Sequence, residues 1–130
     1  MPVVDLVDET YVRAAPARLA AVFRDPASWP SWWPTLRLHL AEDRGREGVR
    51  WWVSGQLTGT SEVWLERYRD GTVVHFYLRV DPRDAPPPGR LRTRLADRLR
   101  RHHALSFKRR INRLKDELEH RAVVASPSRR

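Results

Sequence analysis

His103 is the residue best placed to do chemistry on a ligand. It lies four residues before Phe107, at the edge of an apolar stripe on a predicted helix. Its imidazole could therefore contact a ligand or act as a general base near neutral pH. A hydrogen-bonded histidine at the boundary of the core is the alternative interpretation. The neighbouring His102 points elsewhere, because adjacent helical residues face different directions.

The remaining polar residues do not form a recognisable catalytic or metal-binding set. Glu62, Glu66 and Asp81 fall on predicted strands, where a buried carboxyl could act as an acid or base. Abundant arginines make surface ion pairs the alternative. No two histidines combine a metal-ligand spacing with a nearby carboxylate, so we expect no metal and no cofactor. The sequence also lacks a dinucleotide-binding motif, a P-loop and a serine nucleophile motif. We assign no catalytic residue, and binding is favoured over catalysis.

Six tryptophans give the first two thirds of the chain an aromatic character. Large aromatic side chains can line a ligand cavity and use an indole N–H to orient a polar group. They can equally fill a core and brace short helices. The two interpretations are compatible, because the walls of a cavity are themselves core residues.

One long helix must position His103. Three prolines and Gly89 precede a stretch of about thirty residues without Pro or Gly that reaches Arg121. Phe107, Ile111, Leu114 and Leu118 recur at helical spacing and should dock on the rest of the domain. Leu91, Leu95 and Leu99 form a second row that projects roughly 100–160° away. We therefore expect a break near residues 101–103, or a first segment that packs elsewhere.

Five segments before this helix are predicted to be strands, and two short helices, the first at 16–24, separate the first strand from the second. Asp70-Gly71 predicts a tight hairpin, with both residues at positive φ. Alternation in the last strand places Phe76 and Leu78 inward and His75 outward. His39 of the second strand is also predicted to face outward. Leu36, Leu38 and Leu40 form the predicted inward set of the second strand. The inward faces of the third and fourth strands stay open, because Trp51 competes with Trp52, and Val63 and Leu65 compete with Trp64. The five predicted strands are residues 3–13, 35–42, 49–56, 60–69 and 72–81.

Length and composition fit one globular domain, which we place at residues 1–122, followed by a disordered basic tail at 123–130. Cysteine is absent, which excludes disulfides and thiolate chemistry. The N-terminus lacks a signal-peptide pattern and no segment is apolar enough to span a membrane, so we expect a cytoplasmic protein.

The net charge of +9 lies entirely in residues 90–130, which hold 14 Lys and Arg against 4 acidic residues. A basic helix can bind phosphate or anionic lipid, or it can simply be solvated.

Three stretches resemble the START-related polyketide cyclase/dehydrase and lipid-transport proteins, the SRPBCC group. They are Val12–Pro26, Trp29–Pro34 and Leu114–Glu119. The resemblance implies an α+β helix-grip fold, in which a curved antiparallel sheet wraps a long C-terminal helix around an apolar cavity. The chain departs from the family in having five predicted strands where six or seven are usual. The ligand-binding residues that this cavity implies are Trp33, Trp51, Trp52, Trp64, Phe76, Leu78, His103, Phe107 and Ile111.

Three functions remain open at this point. The first is a binding module for a small apolar ligand, such as a lipid or a polyketide-like compound. The second is an aromatase/cyclase-type enzyme that acts on a polyketide in the same cavity. The third is an interaction protein whose basic helix binds RNA, the ribosome or an anionic membrane; nucleic acid and membrane are not favoured. The row of Leu91, Leu95 and Leu99 needs a cover, for which the edge of the chain's own sheet is favoured over a homodimer, and a membrane surface is the third alternative.

Overall fold

The computed structural model describes the backbone of residues 2–124 and the side chains of residues 2–120. Strand β1 is followed by two short helices, a run of four strands and one long helix. The strands are β1 (Val4–Val12), β2 (Arg37–Asp43), β3 (Gly48–Ser54), β4 (Leu57–Tyr68) and β5 (Gly71–Pro82). The α-helices are α1 (Pro16–Phe23), α2 (Trp29–Trp32) and α3 (Arg90–Val124). Residues 125–130 of the predicted tail lie outside the described residues.

The five strands form one antiparallel sheet in the order β1-β5-β4-β3-β2. Consecutive strands β2 to β5 are hairpin neighbours, and β1 pairs with β5 through Val4–Val80 and Val12–Thr72. The sheet therefore has two edges, β1 and β2. The α+β helix-grip architecture is confirmed, with α3 covering the inner face of the sheet and lying closest to β1.

The hairpin between β4 and β5 is confirmed, but its turn lies one residue earlier than predicted. Tyr68 pairs with Gly71, so the two central residues are Arg69 and Asp70. Arg69 takes a positive φ of 53°, whereas Gly71 belongs to β5 and does not. Glycine is required at position 71 for space: a Cβ there would lie 2.3 Å from the backbone oxygen of Val12.

The structure decides the faces that the sequence left open. Trp51 and Val53 of β3 are buried, whereas Trp52 is 59% exposed. Val63 and Leu65 of β4 are buried on the inner face, which places Trp64 on the outer face. The predicted inward set of β2 was partly wrong: Leu40 is 55% exposed, because β2 is an edge strand at the margin of the core.

Helix α3 is continuous from Arg90 to Val124, so the break near residues 101–103, one of the two predicted alternatives, was wrong. The other predicted alternative, a first segment that packs elsewhere, agrees with the structure: Leu95 and Leu99 face Leu57 and Pro82 at the ends of β4 and β5. The predicted docking stripe of Phe107, Ile111, Leu114 and Leu118 is buried. Leu95 and Leu99 are only partly buried, and Leu91 is 68% exposed.

Two lysines tie α3 to the edge strand β1. Lys108 Nζ lies 2.9 Å from an Asp8 carboxylate oxygen and donates to the Thr10 hydroxyl at 2.8 Å. Lys115 donates to the Tyr11 carbonyl and pairs with Glu119, both at 2.8 Å. These polar contacts fix the position of the helix along the strand. No helix among the described residues is long and apolar enough to cross a membrane.

Candidate functional site

The space between the sheet and α3 is filled with aromatic side chains. Helix α2 and the residue after it insert Trp32 and Trp33, which are 0% and 4% exposed. Phe107 stacks on Phe76 at a centroid distance of 4.2 Å and lies 5.7 Å from Trp32. The Trp33 ring packs against Trp51 at 5.0 Å and stacks on Phe76 at 5.7 Å. This aromatic cluster occupies the position where the family resemblance implies a cavity.

The nine predicted ligand-binding residues do not converge on one surface. Trp52 and Trp64 lie on the outer face of the sheet, away from the helix. His103 lies at the boundary of the core, 6% exposed. The other six are buried core residues: Trp33, Trp51, Phe76, Leu78, Phe107 and Ile111.

A concave apolar surface instead opens at one end of the sheet, beside the first half of α3. We call it the terminal cleft; its volume is about 420 Å³. Leu95 and Leu99 of α3 form one wall, and Leu57 and Pro82, which pair at the ends of β4 and β5, form the other. Polar groups surround this apolar surface: Thr35, Gln56, Arg83, Asp84, His102 and His103.

His103 is the buried polar group of the terminal cleft. Burial lowers the pKa of its imidazole to about 4, and the neighbouring His102 acts in the same direction. The ring is therefore neutral at pH 7, with one nitrogen able to donate and the other able to accept a hydrogen bond. It makes no hydrogen bond to another residue within the described part of the chain, so neither its donor nor its acceptor is used by those residues.

His75 is not solvent-facing, contrary to the prediction from strand alternation. It lies on the outer face, as predicted, but is only 6% exposed. Trp64 stacks on it at 4.3 Å. Its Nε2 is 3.0 Å from a Glu66 oxygen, and its Nδ1 is 2.8 Å from a Glu9 oxygen without the alignment of a hydrogen bond. Neighbouring side chains on two strands, β1 and β4, thus bury a histidine on the open face of the sheet, whereas His39 is exposed as predicted.

Two further observations concern buried indole N–H groups and possible metal ligands. The buried indole N–H groups of Trp32, Trp33 and Trp51 have no acceptor among the described residues. Within the same residues, no three His, Asp or Glu side chains are close enough to hold a metal ion.

Most residues of the terminal cleft escape detection in the sequence. Leu57 and Pro82 are distant in the chain and meet only because β4 and β5 pair in this register. Arg83 is placed by its backbone N–H, which donates to the Gln56 carbonyl at 2.8 Å. The one available signal is the leucine row of α3, which points away from the docking stripe and therefore needs a second apolar surface.

Several solved structures have a similar fold. The Aha1 dimer from Colwellia psychrerythraea aligns with a TM-score of 0.57 at 13% identity, over 89% of this chain and 96% of that one. TTHA0849 from Thermus thermophilus aligns with a TM-score of 0.55 at 18% identity, over 94% and 99%. DR_A0006 from Deinococcus radiodurans aligns with a TM-score of 0.53 at 18% identity, over 78% and 97%.

The shared fold is the helix grip. At these identities the likeness concerns the fold and not the activity. No protein-family model matches the chain. No curated protein matches it either.

Proposed function

We propose that this chain is a binding module for a small apolar molecule that carries one polar group, held in the terminal cleft. The observation that carries the proposal is the combination of apolar walls with one buried, neutral and unpartnered imidazole, His103. Lipids and polyketide-like compounds have this chemistry, and they are the ligand classes that the family resemblance implies. A volume of about 420 Å³ falls within the usual size of a small-molecule site.

The expected affinity is moderate. Burying about 200 Å² of apolar surface contributes about 5 kcal/mol, and a hydrogen bond to His103 adds about 1 kcal/mol. Part of this is lost in immobilising the ligand. Dissociation constants from about 1 mM to 1 μM correspond to binding free energies of about −4 to −8 kcal/mol, and we expect a ligand in that range.

His103 is better suited to binding than to catalysis. A general base works best when its pKa lies near the operating pH, and burial holds the pKa of His103 at about 4. No carboxylate hydrogen-bonds to its ring within the described residues, so nothing orients it as a proton acceptor. The aromatase/cyclase alternative needs such a base and is therefore disfavoured.

A position inside the aromatic cluster is the second candidate for the ligand. It is favoured by the three buried indole N–H groups of Trp32, Trp33 and Trp51, which lack acceptors among the described residues. A ligand oxygen between them would satisfy donors that each cost about 1–3 kcal/mol unpaired. Entry would require Phe107 and its neighbours to move apart, and each stacked aromatic pair opposes that movement.

Leu91 is available for a homodimer contact. It is 68% exposed at the outer end of the leucine row, while Leu95 and Leu99 line the terminal cleft. One protein with this fold, Aha1 from Colwellia psychrerythraea, was solved as a dimer. Sedimentation of the wild type and of Leu91→Glu tests the prediction, because a charge at the contact should convert a dimer to a monomer of unchanged stability.

A fluorescence titration with the neutral apolar dye Nile red tests the proposed site. The wild type should show saturable binding at one site per chain. Leu95→Trp should fill the terminal cleft and abolish that binding. The matched control is Leu91→Trp, the same substitution on the same helix at a residue outside the cleft, and it should bind like the wild type. Equal binding by all three proteins would refute the cleft as the site.

A further inference from the structure

The arginines of α3 have no carboxylate partners among residues 2–120. Within that range, the two lysines of the helix form ion pairs, with Asp8 and with Glu119. No arginine of the helix does so within those residues. The nine arginines concerned are Arg90, Arg92, Arg94, Arg98, Arg100, Arg101, Arg109, Arg110 and Arg113. A helix with this excess of cations attracts anions.

Three of these arginines converge on a concave site between α3 and α2. We call it the basic pocket; its volume is about 330 Å³. Arg109, Arg110 and Arg113 line it, and they lie within about one turn of each other on one side of the helix. Ser31 of α2 stands on the opposite wall. The rest of the lining comes from His102, Leu105 and Ser106.

Arg110 is the fixed member of this group. Its guanidinium carbon lies 4.4 Å from the centroid of the buried Trp32 ring. Its Nη1 is buried and has no acceptor within the described residues. A planar guanidinium held on an aromatic ring keeps its donors in a defined orientation, which lowers the entropy cost of binding an anion.

Two neighbouring charges act on Arg110 in opposite directions. Burial lowers the pKa of its guanidinium; the charge of Glu117 opposes this shift and that of Arg113 adds to it. The Ser31 hydroxyl donates to the Ser28 carbonyl at 2.8 Å, so Ser31 shapes the wall. The hydroxyl of Ser106 and the imidazole of His102 are additional potential donors.

We propose that the basic pocket binds the phosphate group of a small molecule. Three guanidinium groups around one concavity match a dianion with several acceptor oxygens better than they match a single carboxylate. A concave site also distinguishes a compact phosphate from an extended polyanion, which would use the exposed arginines of the helix equally. This site is separate from the terminal cleft, although His102 borders both, and the test below does not require that an apolar ligand binds.

The test compares two double variants with the same change in charge. Arg110→Gln with Arg113→Gln removes two cations of the pocket. Arg94→Gln with Arg98→Gln removes two exposed cations of the same helix outside the pocket. Titration calorimetry with inorganic phosphate and with glycerol 3-phosphate should show saturable binding to the wild type. The pocket variant should bind at least about tenfold more weakly, which is about 1.4 kcal/mol, and the control should keep its affinity.

Further measurements identify the source of the phosphate group, and a further variant controls for misfolding. Flotation with phosphatidylcholine vesicles, with and without phosphatidic acid, shows whether a lipid headgroup is bound through the same arginines. Arg113→Gln alone is the second variant, because Arg113 is exposed and its loss leaves the contact between Arg110 and Trp32 intact. Absence of binding to both phosphates and to the phosphatidic acid vesicles would overturn the proposal. So would equal weakening in both double variants, or RNA binding that depends on Arg94 and Arg98 as much as on Arg110.

Discussion

Replacing Phe107 by alanine distinguishes a filled interior from an open one. Phe107 is fully buried on α3 and stacks on Phe76 at a centroid distance of 4.2 Å. If the interior is packed as described, the truncation leaves a void between the sheet and the helix. If Phe107 instead lined an open cavity, the truncation would only enlarge a space that already existed.

The two cases differ in magnitude. Truncation of a buried Phe to Ala costs about 3–5 kcal/mol of unfolding free energy, and the lost aromatic contacts lie within that range. A domain of this length has a stability of about 6–20 kcal/mol, so Phe107→Ala should still fold. Phe107→Leu keeps most of the volume and should cost less, about 1–2 kcal/mol.

Urea unfolding followed by circular dichroism measures these differences. The slope of the unfolding free energy against urea concentration should be the same in all variants, so that a shift of the unfolding midpoint reports a change in stability. Leu105→Ala is the control on the same helix, because Leu105 is 50% exposed and its truncation should change stability by no more than about 0.5 kcal/mol. A cost below about 1 kcal/mol for Phe107→Ala would contradict the packed interior.

Individual residues give three further predictions. His103 is protonated below about pH 6.5 in the unfolded chain, but only below about pH 4 in the folded chain. Stability should therefore fall as the pH drops through this window, by about 1–2 kcal/mol between pH 7 and 5. His103→Leu should remove that part of the pH dependence of thermal unfolding. An identical change of melting temperature with pH in both proteins would contradict this prediction. Ile111→Asp should unfold the chain or leave it molten, because a charge would replace a fully buried residue; a circular dichroism melt like that of the wild type would show that α3 does not dock as described. Gly71→Ala should destabilise by about 1–3 kcal/mol, since its Cβ would clash with the Val12 oxygen; unchanged thermal stability would mean that β1 and β5 can separate there without cost.

The fold was largely predictable because each element has its own local signal. Alternation found the five strands, and the spacing of Phe107, Ile111, Leu114 and Leu118 found the face of α3 that docks. The turn before Gly71 was placed one residue late, because close packing against β1 and not a positive φ explains that glycine. His75 was misassigned because burial on the outer face depends on partners from β1 and β4.

The candidate site was much less predictable. The sequence indicates that tryptophans and a helical histidine lie near each other, but it does not show whether they enclose a space or fill it. In the structure Trp33 and Phe107 fill it. The terminal cleft arises from Leu57 and Pro82, whose proximity depends on strand register, and from Leu95 and Leu99, whose direction the helical spacing did predict.

Nuclear magnetic resonance of the protein with a bound alkanol tests the central claim most directly, since it locates the ligand. With 1-decanol as the probe, the account predicts shifted amide signals at Leu57, Leu99 and His103, and unchanged indole N–H signals of Trp33 and Trp51. Large shifts of those indole signals, with the amides of the terminal cleft unchanged, would contradict it and place the ligand inside the aromatic cluster.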